Sequence, residues 1–187
     1  MSIRKTLAAA AVAALVPAGA AMAQTTVVNR AITEAEVLGA QRAWCDALVN
    51  ISRTGETQGR AAARALAERV IDAAYGYQMG AVLFKPTLTV APQTFRTTRA
   101  GALAYFVGGD PAFPRDNGFA LQGWTRCEIA NTAIFITGNA ASTMGNVSIT
   151  GRDGRVTTVD KTWKFVKDDA GNLRIVLHHS SLPHAGS

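Results

Sequence analysis

The sequence has almost none of the residue groupings that hold a metal. Three histidines, His178, His179 and His184, and two cysteines, Cys45 and Cys127, occur in 187 residues, with no H-x-H, H-E-x-x-H or C-x-x-C among them. His178 and His179 are neighbours, and neighbouring side chains on a strand point to opposite faces, so they do not join one cluster. No metal and no other cofactor is expected. A G-x-S-x-G nucleophile elbow is missing too, since Ser180 and Ser181 simply follow the histidines. Gly108-Gly109 runs into Asp110-Pro111 and reads as a helix stop, not as a phosphate loop. The 19 Lys and Arg against 13 Asp and Glu give a net charge of +6, but the cations are interspersed with acids. No cationic stripe alternates with stacking aromatics, which argues against nucleic acid as a partner. The one long apolar run, Leu7 to Val16, falls short of the ~20 residues that cross a bilayer, so no membrane span is expected.

That run belongs to a targeting segment. Arg4 and Lys5 precede it, and Pro17 and small residues follow, ending in Ala21-Met22-Ala23. This is the pattern of a secretory leader cleaved after an A-x-A site, so residues 1–23 are expected to be a signal peptide and the protein periplasmic or secreted. Residues 24–187, with no linker or repeat, then form a single domain. In an oxidising compartment Cys45 and Cys127 are able to pair, but both also suit the role of small buried hydrophobes, and both outcomes stay open.

The organisation is helices first and strands afterwards. Thr33 and Glu36 have capping-box spacing ahead of Val37, Trp44, Leu48 and Ile51, predicting a helix that ends near Ser52 to Gly55. A second helix is predicted from Glu56 to Tyr75, closed by Gly76 and Gly80. Val82 to Phe84 and Thr94 to Arg96 read as a short strand pair, and Thr97 or Thr98 caps a short helix holding Leu103, Tyr105 and Phe106. Five strands follow, Leu121 to Asn131, Ala133 to Thr137, Ala141 to Thr150, Arg155 to Lys167 and Leu173 to Ser181, separated by Gly/Asn/Asp turn chemistry. The fold class is α+β: N-terminal helices packed on a curved antiparallel sheet, a roll with a cone-shaped cavity. Apolar residues on both faces of the meander, Val159, Trp163 and Phe165 against Val156 and Val166, predict a homodimer through the sheet.

Strict alternation along the last strand places Leu173, Ile175, Leu177, His179 and Ser181 on one face and Arg174, Val176, His178 and Ser180 on the other. The segment Asn172 to Pro183, with its His-His-Ser-Ser core, resembles the iota-class carbonic anhydrases, relatives of the calmodulin-kinase association domain. So do Val82-Leu83-Phe84-Lys85-Pro86-Thr87, Ala104-Tyr105-Phe106, Gly123-Trp124 and Met144-Gly145-Asn146. The match spans nearly all of residues 24–183.

The resemblance implies the nuclear transport factor two-like (cystatin-like) roll and interconversion of carbon dioxide and bicarbonate; the family has metal-free and metal-dependent members, and the ligand-poor sequence here favours the metal-free route. The resemblance also implies that bicarbonate is held by hydroxyls at Thr87, Tyr105 and Ser180, with His178 beside Ser180; on that footing His178 is the expected proton acceptor and His179 a further substrate-binding residue. Thr, Tyr and Ser each offer one rotatable O–H to an anion with three acceptor oxygens. Histidine titrates near neutrality, as a base on water must. Phe84, Phe106 and Trp163 are candidates for an apolar wall. Two other functions suit the same roll: a non-catalytic binding or oligomerisation module, and an isomerase or hydrolase that would need a carboxylate such as Glu128 or Asp160 deep in the cavity.

Overall fold

Thr33 starts the first helix as its spacing predicts. Its hydroxyl accepts from the Glu36 N–H, and the Glu36 carboxylate accepts from the Thr33 N–H at 2.8 Å. In the computed structural model, which describes residues 26, 27 and 29–186, helix α1 is Glu34–Gln58 and buries Val37, Trp44, Cys45, Leu48 and Ile51 along one stripe. The expected leader, 1–23, lies outside the described residues. Helix α1 runs past Gly55, where it was expected to stop. A Cβ at Gly55 would meet the Leu121 side chain at 2.8 Å, so this glycine serves close packing inside the helix and not its termination. The break falls at Gly59, whose φ of 86° favours glycine, and α2 follows as Arg60–Ala74.

Strand β1, Leu83–Lys85, is only three residues long, because Pro86 has no N–H to extend a ladder. The segment Thr94 to Arg96 is a loop and not the second strand of a pair. One backbone bond, from Arg96 N–H to the Phe84 carbonyl at 2.8 Å, ties it to β1. Helix α3, Arg99–Val107, is capped by Thr98, and Gly101 to Val107 are all buried.

A 3₁₀ turn at Phe119–Leu121 leads into the meander: β2 Trp124–Thr137, β3 Ala140–Gly151, β4 Val156–Lys167 and β5 Leu173–Ser181. The two strands expected between Leu121 and Thr137 are one, interrupted by a register shift between Asn131 and Ala133. The sheet order is β1-β5-β4-β3-β2, antiparallel throughout the meander, but β1 joins β5 in parallel. The expectation of a purely antiparallel sheet is therefore corrected to a mixed one. A strand that arrives from the helical layer meets the sheet's last edge in the direction β5 runs, which local alternation does not encode.

The helices lie on the inner face of the sheet, and the core between them includes Trp44, Ile71, Tyr75, Phe84, Trp163, Phe165 and Ile175. Cys45 and Cys127 are joined in a disulfide that ties α1 to β2, with Cα atoms 5.2 Å apart. Among the described residues no helix is long and apolar enough to cross a membrane.

Candidate active site

Strict alternation along β5 does not survive into the structure. The register against β4 slips between Lys164 and Phe165, so that Val176 is unpaired and the inward set becomes Ile175, His178 and Ser180, each 2% exposed. His178 and Ser180 thus share a face, as expected, but Ile175 shares it with them. His179 turns to the exposed outer face opposite Thr162, so the structure does not bring it together with the other expected site residues. Adjacent residues of a strand cannot both face the core.

Three strands bring the inward residues into rows. Phe84 on β1, His178 on β5 and Trp163 on β4 are register neighbours, and in the next row Ser180 stands opposite Lys161. Beyond β1, the Thr87 hydroxyl is in direct hydrogen-bond contact with the Ser180 hydroxyl. Tyr105 reaches the same place from α3. Together with Trp44, Pro86, Phe106, Phe119, Ile149 and Val159 these groups enclose a cavity of about 10 Å³, room for roughly one water molecule. Thr87, Tyr105, Ser180 and His178 therefore converge on one pocket. Phe84 and Phe106 form its apolar wall, whereas Trp163 packs against His178 with ring centroids 5.7 Å apart.

The loop that carries Thr87 is anchored by a buried ion pair. Arg96 donates to both carboxylate oxygens of Asp116, at 2.9 and 2.7 Å, and to the carbonyls of Gln93 and Phe95. Tyr105 stacks on Phe119 with centroids 5.3 Å apart and meets Phe84 edge-on. Burial pushes its phenol well above the ordinary range, against the pull of the Leu88 and Thr87 backbone beside its oxygen, so it remains an O–H donor.

His178 is the most tightly held ring of the site. It stacks on Phe84 with centroids 4.4 Å apart, and Trp44 meets it edge-on at 5.4 Å. Nδ1 lies 2.8 Å from the Tyr75 hydroxyl and Nε2 lies 2.7 Å from Lys161 Nζ. Burial, with smaller contributions from Lys161 and His179, holds its imidazolium form well below the ordinary range. His178 is thus a neutral imidazole with both nitrogens engaged, not a free base open to water.

Two members of this cluster had no place in the sequence reading. Lys161 has the same strand parity as Val159, Trp163 and Phe165, and that parity was its available signal. Tyr75, just past the end of α2, had none. Glu128 and Asp160, the carboxylates an isomerase or hydrolase would need in the cavity, are both exposed. Among the described residues no group of three or more His, Cys, Asp or Glu side chains is placed to share a metal ion.

A model of the metal-independent carbonic anhydrase family matches residues 35–182. The chain is 68% identical over 161 residues to the metal-independent carbonic anhydrase of Nostoc sp. (strain PCC 7120 / SAG 25.82 / UTEX 2576), covering 86% of this chain and 78% of that protein. A crystal structure of a cyanobacterial iota-carbonic anhydrase complexed with bicarbonate matches with a TM-score of 0.85 and 67% identity, over 88% of this chain and 100% of that one. A calcium/calmodulin-dependent protein kinase II association domain from Xanthomonas campestris matches with a TM-score of 0.53 and 20% identity, over 86% and 98% of the two chains, and shares the fold.

Proposed function

The chain belongs to the metal-independent carbonic anhydrases, and from that premise we propose that the Thr87, Tyr105 and Ser180 pocket holds bicarbonate during its interconversion with carbon dioxide. One observation carries this reading. A loop, a helix and a strand, distant in sequence, deliver three hydroxyl groups to one buried pocket beside a neutral imidazole. Each hydroxyl can turn its hydrogen toward an oxygen of the anion, and the aromatic wall suits apolar carbon dioxide. Entry of the anion separates the Thr87 and Ser180 hydroxyls, which otherwise satisfy each other. His178 takes part in the proton transfer through its hydrogen bonds to Tyr75 and Lys161.

Magnitudes set what such a site must do without a metal. Zinc brings the pKa of bound water from about 15.7 to about 7, worth ~12 kcal/mol of nucleophile preparation at about 1.36 kcal/mol per unit. General base catalysis supplies about 10²- to 10⁴-fold, or ~3 to 5.5 kcal/mol. Orientation of water against carbon dioxide, and donors aimed at the developing carboxylate oxygens, supply the remainder.

The same reading includes export to the periplasm, supported by the leader-like residues 1–23, and a homodimer through the outer sheet face. Phe135, Met144 and Val156 on that face are each more than half exposed. Stopped-flow carbon dioxide hydration by chelator-treated protein tests the site. Activity in the wild type and its loss in Tyr105→Phe are expected; full activity in Tyr105→Phe counts against the pocket.

A further inference from the structure

Lys161 is 5% exposed, and its hydrogen-bond partner among the described residues is His178 Nε2. The hydrogens of this cluster can be placed one by one. Trp44 Nε1 donates to the Tyr75 oxygen at 3.0 Å, and among the described residues the acceptor in reach of the Tyr75 hydrogen is His178 Nδ1. A neutral imidazole that accepts at Nδ1 carries its own hydrogen at Nε2. Nε2–H therefore donates to Nζ, and only an uncharged amine has the lone pair to accept.

The ammonium form is accommodated as well. In that form Nζ donates to Nε2, the imidazole carries its hydrogen at Nδ1, placed there by exchange through solvent, and Tyr75 accepts it. The remaining ammonium hydrogens face the rings of Trp44 and Trp163, whose centres lie 4.8 and 5.5 Å away. Only the Tyr75 hydrogen loses its acceptor, which favours return of the proton to solvent. Few nearby groups oppose either form. His178 on β5 is neutral, Tyr75 after α2 and Tyr105 on α3 stay protonated, Lys85 on β1 points at the Ser180 carbonyl, and α1 presents the Trp44 ring.

We propose that Lys161 is the proton acceptor of the hydration step: its neutral amine takes the proton released when water adds to carbon dioxide, while His178 changes tautomer and keeps the hydrogen bond between them. The water oxygen forms its bond to carbon, one water O–H bond breaks, and bicarbonate and the Lys161 ammonium are the products. The ammonium then discharges to solvent. This rests on the reading of the Thr87, Tyr105 and Ser180 pocket as the bicarbonate site, a pocket that Lys161 itself lines. Burial pushes the amine down to about 7, where both forms are accessible at working pH.

Two measurements test it. Lys161→Met keeps an unbranched stem out to the ε position and removes the amine. It is expected to lower kcat for hydration by about 10²-fold or more, to abolish the rising limb of the pH profile near 7, and to leave bicarbonate binding detectable by ¹³C NMR. Wild-type kcat with the same rising limb overturns the proposal. Should the variant fold poorly, ¹⁵N-lysine NMR of the wild type is expected to show Nζ of Lys161 passing from ammonium to amine near pH 7; an ammonium that persists at pH 9 overturns it. Ser180→Ala assayed alongside separates the two readings. Full activity there removes the pocket assignment, whereas loss there with an unaffected Lys161→Met removes only the role of the lysine.

Discussion

The hydroxyl of Tyr75 lies 2.8 Å from Nδ1 of His178, and both side chains are almost wholly buried. With the Trp44 N–H already on its oxygen, Tyr75 dictates which nitrogen of His178 carries the hydrogen, and through it the state of Lys161.

Tyr75→Phe strands the Trp44 N–H and frees Nδ1. Each unsatisfied buried group costs about 1–3 kcal/mol, so stability falls by that order. Without its donor, Nδ1 can take the imidazole hydrogen at less cost, the ammonium form of Lys161 gains, and the rising limb of the hydration pH profile moves to higher pH. Urea unfolding and a stopped-flow pH series check the two effects.

Removing a hydroxyl from the pocket should act on the anion. A hydrogen bond to a charged group contributes about 1.5–3 kcal/mol. Thr87→Val, which preserves shape, is therefore expected to lower kcat/KM for bicarbonate dehydration by roughly ten- to a hundredfold. An unchanged value would place Thr87 outside the binding set.

Lys161 also makes stability depend on pH with a sign of its own. Its ordinary pKa is 10.5 and its folded value is pushed down to about 7, so between those values the unfolded chain binds a proton that the folded chain does not. Folding stability contributed by this site rises with pH from about 7 toward 10.5. Denaturant unfolding at pH 7.5 and 9.5 should show the gain, and Lys161→Met should flatten it.

The Arg96–Asp116 pair holds the Thr87 loop, with both side chains 3% exposed or less. Asp116→Asn leaves a buried guanidinium without its counter-charge and is expected to destabilise by about 3–5 kcal/mol. Activity should fall with it, because Thr87 loses its anchor. Thermal unfolding in parallel with hydration rates checks both.

The disulfide joins residues 82 apart in sequence, so its reduction should widen the unfolded ensemble and cost about 4 kcal/mol. A Cys45→Ser, Cys127→Ser double variant should melt well below the oxidised protein yet still hydrate carbon dioxide when folded, since neither cysteine lines the pocket.

Much of this architecture is written locally. The Thr33 capping box, the α1 stripe through Val37, Trp44, Leu48 and Ile51, the Thr98 cap and the turns between strands each depend on a few neighbouring residues, and each is where the sequence pattern puts it. The α+β class follows from their order, and the F-K-P-T, A-Y-F and H-H-S-S segments carried the family and three hydroxyl positions. Other features depend on contacts between residues far apart. Gly55 reads as a helix stop until Leu121 packs against it, and β1 becomes a parallel strand only because β5 is the edge it meets. A one-residue slip against β4 puts Ile175 on the face of His178 and leaves His179 outside. The protonation pattern of the site lies furthest from the sequence. Nothing in the identity of a lysine or a histidine tells which is charged. That follows from the loss of solvent around Lys161 and from the Tyr75 hydrogen having Nδ1 as its acceptor in reach among the described residues, and both conditions exist only once helix, strand and loop have closed over the same few ångströms.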